Sequence, residues 1–441
     1  MKKLLLRIAL VFALIAAPAS SAATARADSA SPSTTVPADT ASSLDLLPHK
    51  MVGFYVPDVP YDMTGLNNVQ AEVGFPAAFS NYFQNVTDPG LAKASAANLV
   101  AQGTVPLITL EFYNPSKDSV NQPAYSLKNI ANGACDTYLH KFAKDAKVFG
   151  HTIWLRPFHE MNGNWYPWCG TVNGNSPSDF APAWRHVHDI FAAEGATNVK
   201  FVWCPNIDCH DANHSMTNPA NTISSYWPGE AYVDMVALDG YNFGTSDDGT
   251  WRSFSTLFSA PYAEVCRLSS DKPILVAETS CAIAGGDKAA WIRNAFASAS
   301  ASFPRIVGMG WFDTNADRDW RIDSSAATLQ AFKDATRNST WSDKAATSVS
   351  IKRSASKAKL RHAFTLSGRL TPSKAGDRVR VYVRRKGSSH WAYAWATCNA
   401  SGAWRYRAKP SKRGTYSYYA RFSTATTRWG SQSKTTSVVV H

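Results

Sequence analysis

Between Met51 and Thr336 the chain alternates apolar, β-rich runs with helix-like stretches, and this pattern constrains its fold more than any other feature. Parallel strands need long crossover connections, so this alternation is typical of strands joined by helices. Eight such units in about 285 residues match the usual size of a (β/α)8 barrel, and we therefore predict an α/β fold of the TIM-barrel type. The candidate strands begin at Gly53, Ala78, Val105, Thr152, Val199, Val233, Ile274 and Ile306.

Charge divides the 441 residues into two unlike parts, and the overall formal charge of +12 is an average of them. Residues 345–441 hold twenty Lys and Arg but a single acid, Asp377, which gives +19. Residues 28–344 hold 21 basic and 32 acidic residues, which gives −11. We therefore predict a barrel domain over residues 48–340 and a separate basic domain over residues 345–441.

The N-terminus has the features of a secretion signal. Two lysines precede an apolar run over residues 4–18, and Ala25-Arg26-Ala27 has the form of a cleavage site. We predict a signal peptide over residues 1–27 and a flexible Ser/Thr/Ala/Pro-rich linker over residues 28–47. The apolar run is shorter than the roughly 20 residues that span a bilayer. The sequence thus predicts an extracellular protein without a membrane span.

Polar and aromatic residues follow the predicted strands, where a barrel of this type carries its functional groups. Glu160 and Glu278 each come directly after an apolar strand, and we interpret both as functional. For Asp208, Asp239 and Asp313, an equal alternative is that they cap helices or bind loop backbone. The residues at the strand ends are Glu111, His159, Glu160, Asn206, Asp208, Asp239, Tyr241, Glu278, Trp311 and Asp313.

Two carboxylates at facing strands suit the hydrolysis of a glycosidic bond. A retaining glycosidase holds them roughly 5 to 5.5 Å apart, one as nucleophile and one as acid and then base. The acid needs burial and a nearby negative charge, whereas the nucleophile needs donors such as Arg156, His159 or Tyr241. The sequence does not choose among these donors. Side chains alternate along a strand, so His159 and Glu160 would point to opposite sides of β-structure. If both act in the same site, the strand must contain a bulge or end at this point.

The run from Arg156 to Trp168, Glu278 after the seventh strand and Trp311 on the eighth resemble glycoside hydrolase family 26. The resemblance covers residues 50–336 and implies Glu160 as acid/base and Glu278 as nucleophile. It further implies that His159 bonds near the nucleophile and that Tyr241 is a partner of Glu278. Rings implied to stack on sugars are Trp165, Trp168 and Trp311, and polar groups expected in the groove are Glu111, Asn164, Asn206 and Asn242.

Other tryptophans sit within strands or helices among apolar neighbours. We interpret Trp154, Trp184 and Trp291 as core residues for this reason.

The resemblance implies a retaining endo-β-glycanase, with β-1,4-mannan as the expected substrate because that activity dominates the family. Mixed-linkage β-1,3-1,4-glucan is the close alternative, and β-1,3-xylan is a third. A non-catalytic glycan-binding protein remains a different class of function. Hydrolysis by two carboxylates needs no metal or other cofactor, and we expect a monomer with a polysaccharide partner and no nucleic-acid partner.

Residues 345–441 contain short alternating strands separated by Gly-containing turns, which predicts a small all-β sandwich. This part resembles the immunoglobulin-like accessory domains of secreted bacterial enzymes. Its charge suits an anionic cell-wall polymer or acidic polysaccharide, with a solvated spacer as an equal alternative. We interpret the stripe of Trp391, Tyr393 and Trp395 as the buried face of a strand.

Seven cysteines in a chain predicted to be exported suggest disulfides. The six in the barrel region allow fifteen pairings. One set pairs Cys204 with Cys209, Cys266 with Cys281 and Cys135 with Cys169. Cys398 is then left as a buried thiol.

Overall fold

The computed structural model describes residues 49–117, 120–246, 249–338, 340–341, 348–371, 373, 376–388, 390–422 and 431–441. The predicted signal peptide and linker lie outside this range. The chain divides into two compact units, with the division between Ala335 and Thr336. In the described ranges no helix combines the length and apolarity that a membrane span requires.

Eight parallel strands close into a barrel in the first unit, which confirms the predicted TIM fold. Each strand pairs with its neighbour in sequence, and β8 closes on β1 with Met51 opposite Gly308. The strands are β1 (Met51–Tyr55), β2 (Phe79–Asn85), β3 (Val105–Glu111), β4 (Ile153–Pro157), β5 (Val199–Trp203), β6 (Met235–Asn242), β7 (Ile274–Cys281) and β8 (Ile306–Phe312).

Helices on the outside of the barrel connect successive strands. Their sequences show why they form: α4 buries Leu139, Phe142 and Ala146 on one face at helical spacing, and it ends at Gly150 with a left-handed φ of 72°. The helices are α1 (Thr64–Val73), α2 (Lys93–Val100), α3 (Leu127–Ala131), α4 (Asp136–Phe149), α5 (Phe180–Glu194), α6 (Phe254–Leu268), α7 (Lys288–Ala301) and α8 (Ala326–Thr336).

A layer of apolar side chains fills the inside of the barrel. Phe79, Leu107 and Trp154 belong to this cluster together with residues of β5, β6 and β7. Gly53 makes room for the Phe79 ring, because a Cβ at residue 53 would lie 2.4 Å from it. The barrel is therefore packed rather than hollow, as expected for the fold, and polar chemistry is confined to the strand ends.

The six barrel cysteines form no disulfide in the described part of the chain, so the suggested pairs are wrong. Cys204 lies inside the barrel, where Arg156 Nη1 approaches its sulfur at 3.7 Å. Cys209 instead accepts a hydrogen bond from Asn162 Nδ2 at 3.2 Å. Burial raises the pKa of the Cys169 and Cys281 thiols to about 12, so both remain protonated at neutral pH.

The second unit consists of two antiparallel-rich sheets around a core of their own. One sheet contains β9 (Ser348–Val349), β10 (Lys352–Arg353), β12 (Phe364–Thr371) and β15 (Ala403–Ala408). The other contains β11 (Lys357–Ala358), β13 (Arg378–Arg385), β14 (Ala392–Thr397), β16 (Gly414–Phe422), β17 (Ser431–Gln432) and β18 (Thr436–Val440). Residues of both sheets share this core, among them Leu366, Val381, Trp404 and Ala420. An immunoglobulin-like topology stays a prediction.

The predicted orientation of β14 is wrong. Tyr393 is 52% exposed and Trp395 is 40% exposed, whereas Ala396 is buried in the core. Because side chains alternate along a strand, Ala396 faces inward while Tyr393 and Trp395 face outward.

Candidate active site

The backbone leaves strand geometry where β4 ends at Pro157. Phe158 and Glu160 both have positive φ, at 54° and 55°, although neither is glycine. Because the side chains no longer alternate here, His159 and Glu160 both reach the rim of the barrel. This agrees with the expectation that β4 ends or bulges at this point. Such conformations cost about 1–3 kcal/mol each. Packing holds them in place: the buried Phe158 ring stacks on Phe112 with centroids 4.1 Å apart.

Glu278 lies in β7 and is 5% exposed. Three side chains donate hydrogen bonds to it: Arg156 Nη2 and Asn81 Nδ2 (2.8 Å) to Oε1, and Tyr241 Oη to Oε2. The register of β7 shifts against β6 and β8 close to this residue, a β-bulge that re-aims the side chain. Both oxygens of the Glu278 carboxylate therefore accept hydrogen bonds, and one of the donors is the positively charged guanidinium of Arg156.

Arg156 is fully buried and connects two carboxylates. Its Nη1 donates to Asp239 at 2.6 Å and its Nη2 to Glu278, while Nε donates to Thr109 Oγ1 at 2.9 Å. Burial acts to lower the pKa of Arg156, but Asp239 and Glu278 more than offset this and raise it. The guanidinium stays charged, and Asp239 serves as its buried counter-ion rather than as a helix cap.

Glu160 has a different environment. Trp165 Nε1 donates to its Oε2 at 2.8 Å, and Asn206 Nδ2 donates to its Oε1 at 2.7 Å. Burial and the charge of Glu278 raise its pKa to about 7, against the effect of those hydrogen bonds and of Arg156. A carboxyl group with this pKa is partly protonated at neutral pH, whereas Glu278 faces an arginine.

His159 contacts aromatic neighbours rather than Glu278. Its Nε2 lies 3.2 Å from the hydroxyl of Tyr166, and its ring lies edge-on to Phe83. Burial and the charge of Arg156 lower its pKa well below the usual value, so the imidazole is neutral. Within the described residues, its buried Nδ1 has no hydrogen-bond partner. The implied bond of His159 near the nucleophile is thus replaced by a bond to Tyr166.

Two of the three implied sugar platforms are wrong because their rings are covered. Trp168 is 0% exposed, stacks under Tyr166 at 4.4 Å and donates to the His159 carbonyl. Trp311 is 1% exposed and faces helices α7 and α8, where it packs on Trp291 and Phe332.

Trp165 is half-buried at the rim and donates a hydrogen bond to Glu160. Trp154, Trp184 and Trp291 are buried, as the sequence predicted.

The remaining polar candidates divide into rim groups and structural groups. Glu111 is half-buried at the end of β3, and burial together with the charge of Glu278 raises its pKa to about 8. Asp208 pairs with Arg252 at 2.8 Å, and Asp313 accepts from the Ile322 amide at 2.7 Å. These two are structural.

Asn164 and Asn242 are also structural. Asn164 donates to the Asp211 carbonyl at 2.7 Å, and Asn242 accepts from the Arg252 amide at 3.0 Å.

Several residues at the site were missed from the sequence. Asn81 in β2 binds Glu278 and in turn accepts from Thr109 at 2.8 Å. This strand also contains Ser80, Gln84 and Asn85, so its sequence did not single out Asn81. Tyr166 contacts His159 and lies in the run from Arg156 to Trp168, although no role was predicted for it. Trp320 packs against Tyr241 at 5.3 Å from a loop distant in sequence, and no local pattern marked it.

Comparison with known proteins agrees with this geometry. The family described as Glycosyl hydrolase family 26 matches residues 116–303, which include both Glu160 and Glu278. Endoglucanase H of Acetivibrio thermocellus is 40% identical over 215 residues, covering 48% of this chain and 23% of that protein. A mannan endo-1,4-beta-mannosidase of Bacillus subtilis is 25% identical over 257 residues, covering 50% of this chain and 63% of that protein.

A solved GH26 beta-mannanase from Bacteroides ovatus shares the fold, with a TM-score of 0.50 at 15% identity over 68% of this chain and 92% of that one. The match to Endoglucanase H spans less than a quarter of that relative's length. The closed barrel, the match across its fourth to seventh strands and the relatives agree: residues 116–303 of this chain are similar to glycosyl hydrolase family 26.

Proposed function

We propose that this protein is an exported, retaining endo-β-glycanase that hydrolyses internal β-1,4 linkages of mannan-type polysaccharide. The observation that carries the proposal is the contrast between two neighbouring buried carboxyl groups. Glu160 has a pKa of about 7, and Glu278 is held by an arginine, a tyrosine and an asparagine. One group suits proton donation and the other suits nucleophilic attack.

In the first step, a Glu278 oxygen attacks the anomeric carbon and forms a covalent glycosyl-enzyme. The bond to the leaving sugar breaks, and its oxygen takes the proton from Glu160. Arg156, Asn81 and Tyr241 hold the attacking carboxylate in place through hydrogen bonds to both of its oxygens. Asn206 and Trp165 fix both oxygens of Glu160, which sets the direction of proton transfer.

In the second step, Glu160 acts as the base. Once Glu278 is esterified its negative charge is gone, and that charge is one of the two causes of the raised pKa of Glu160. The pKa of Glu160 therefore falls, and its carboxylate takes a proton from water as the water attacks the anomeric carbon. The same residue thus serves as acid and then as base, and the β configuration is retained.

A second candidate substrate is mixed-linkage β-glucan. Endoglucanase H, the 40% identical relative, carries the name of a glucan-cleaving enzyme, whereas the mannosidase of Bacillus subtilis is 25% identical. Mannose and glucose differ in the orientation of the 2-hydroxyl group. Discrimination therefore depends on contacts to that group in the central subsite.

The test is to incubate the protein with galactomannan, glucomannan, mixed-linkage β-glucan and β-1,3-xylan and to separate the products by chromatography. NMR during the first turnovers reports the anomer released, and the proposal requires the β form. Glu278→Ala serves as the inactive control. Products from galactomannan support the mannanase, and products from mixed-linkage glucan alone support the second candidate. Binding of a glycan without any product would instead indicate a non-catalytic glycan-binding protein.

A further inference from the structure

The outer surface of the six-stranded sheet in the C-terminal unit carries a band of aromatic and arginine side chains, which we call the aromatic–arginine face. The register of the strands brings them together: Arg380 lies opposite Trp395 and Arg421, and Tyr382 lies opposite Tyr393 and Tyr419. The face consists of Arg378, Arg380, Tyr382, Arg384, Trp391, Tyr393, Trp395, Tyr419 and Arg421.

None of these side chains belongs to the core of the unit. Val379, Val381 and Ala396 on the same strands are buried and supply the core, so the alternate positions point outward. Tyr393 and Trp395 are among the most exposed aromatic residues of the described chain. Large exposed rings that a fold does not need for packing are typical of a binding surface.

The arginines are ordered by the rings. Arg378 lies over Trp395 with 4.4 Å between the guanidinium carbon and the ring centroid, and Arg384 lies over Trp391 at 4.7 Å. Arg380 lies over Trp395 at 4.9 Å. A guanidinium that stacks through its flat face keeps its N–H edge available, and that edge fits a carboxylate in bidentate fashion. The stacking therefore pre-orients donors for an anion.

The rings also contact one another. Tyr382 stacks on Tyr419 with centroids 4.6 Å apart, and Trp391 meets Tyr419 edge-on at 4.8 Å. The result is a continuous band across β13, β14 and β16 rather than isolated side chains.

The charge around the band has one sign. The sequence contains neither Asp nor Glu from residue 378 to residue 441, so no carboxylate of this stretch competes for the arginines. A surface of this kind concentrates polyanions.

We propose that the aromatic–arginine face binds an acidic polysaccharide whose pyranose rings carry carboxylates. The arginine edges pair with the carboxylates, and the aromatic rings pack against the apolar faces of the sugar rings. The site lies in the C-terminal unit and does not depend on the chemistry proposed for the barrel. Its role is to attach the protein to a charged glycan.

Arginine edges pair with phosphate as well as with carboxylate, so the chemistry of the face alone does not separate a charged glycan from a nucleic acid. We commit to a charged glycan because the N-terminal sequence predicts export, and an exported protein meets polysaccharide rather than nucleic acid as its usual partner.

The experiment measures binding of the full chain to polygalacturonate by calorimetry, with the fully methyl-esterified polymer as the uncharged ligand. The double variant Arg378→Gln/Arg380→Gln is expected to weaken binding about tenfold or more, because it removes two charge-assisted contacts. Tyr393→Ala/Trp395→Ala keeps the net charge and is expected to weaken binding by a similar factor. These two residues are exposed on β14, which lies at the edge of the described part of its sheet, so the Ala variant is expected to fold.

The matched control is Arg405→Gln/Arg407→Gln on β15. Both arginines are exposed, and β15 belongs to the other sheet, so the same charge is lost away from the face. We expect at most a twofold change. If both double arginine variants lost the same affinity for polygalacturonate, the proposal would be overturned. That result would mean that the net positive charge of the unit, rather than the aromatic–arginine face, attracts the polymer. Equal binding of the methyl ester would also overturn it, and so would tighter binding of oligo(dT) that depends on Tyr393 and Trp395.

Discussion

The two units use arginine and aromatic residues in opposite ways. In the barrel, Arg156 is fully buried between Asp239 and Glu278, and Trp168 and Trp311 lie under other side chains. In the C-terminal unit, Arg378 lies over the exposed Trp395 ring and Arg384 lies over the half-buried Trp391 ring. A charge in a low-dielectric interior interacts strongly and holds its partner in one geometry, whereas an exposed charge is weakened by water and salt.

The comparison shows that burial, rather than residue type, decides what a side chain contributes. The buried arginine holds two carboxylates, Asp239 and Glu278, in one arrangement. The exposed arginines present donors to a large ligand. We therefore expect single substitutions in the barrel to have large effects and those on the sheet surface to have small ones.

The largest effect is expected for the two glutamates. Glu278→Ala removes the covalent step and is expected to lower kcat by about 10⁴-fold or more. Glu160→Ala is expected to lower activity on polysaccharide strongly but to spare aryl glycosides, whose leaving groups need no proton. Steady-state kinetics on both substrates measure this. Glu72→Ala on helix α1 is the control and should match the native protein.

Equal losses of Glu160→Ala on both substrates would contradict its assignment as the acid.

Removal of Arg156 sharpens the comparison between the units. Arg156→Met leaves Glu278 and Asp239 buried without their cation and is expected to cost about 3–5 kcal/mol of unfolding free energy. The surface counterpart, Arg378→Met, loses only a stacking contact and is expected to cost about 1 kcal/mol or less. Urea unfolding followed by tryptophan fluorescence measures both. Similar costs would show that burial does not separate the two arginines.

The dependence of activity on pH tests the environment of Glu160. An acid with a pKa of about 7 loses its proton as the pH rises through 7, so kcat/KM is expected to fall there. Trp165→Phe removes a hydrogen bond that lowers this pKa, so the decline should move to higher pH. Tyr166→Phe is the control, because it keeps the aromatic ring and removes a hydroxyl that contacts His159 rather than Glu160. The pH at which kcat/KM declines should not change in this variant. A shift to lower pH in Trp165→Phe would contradict the argument.

The smallest effect is expected when the C-terminal unit is removed. Each unit has a core of its own, so a chain ending at Trp341 should turn over soluble glycan within about twofold of the full protein. The same truncation should lose binding to polygalacturonate. Product assays and binding to the polymer, measured on the same preparation, compare the two functions. Loss of barrel folding in the truncated chain would show that the units are not independent.

The barrel and the location of both glutamates were predictable because each depends on a local pattern. Strand and helix periodicity repeats eight times, and Glu278 follows a short, β-branched apolar run that is typical of a buried strand. The break after Pro157 was also predictable, since alternation alone could not serve both His159 and Glu160.

The donors to Glu278 were only partly predictable. Tyr241 and Arg156 were candidates together with His159, and the fold brought the first two to the carboxylate and turned His159 toward Tyr166. Asn81 comes from a strand 197 residues away in sequence. Such contacts depend on how the barrel closes, and no window of sequence contains them.

The sequence by itself determined a (β/α)8 barrel, two carboxylates at its rim and a change of charge near residue 345, because periodicity, strand ends and composition are local properties. Only the tertiary structure decided which rings are covered. Trp311 turned outward against α7 and α8, and Trp395 turned to solvent, although both lie in strands and have apolar neighbours. The side on which a strand residue is buried depends on what packs against the sheet, and that is fixed by distant segments of the chain.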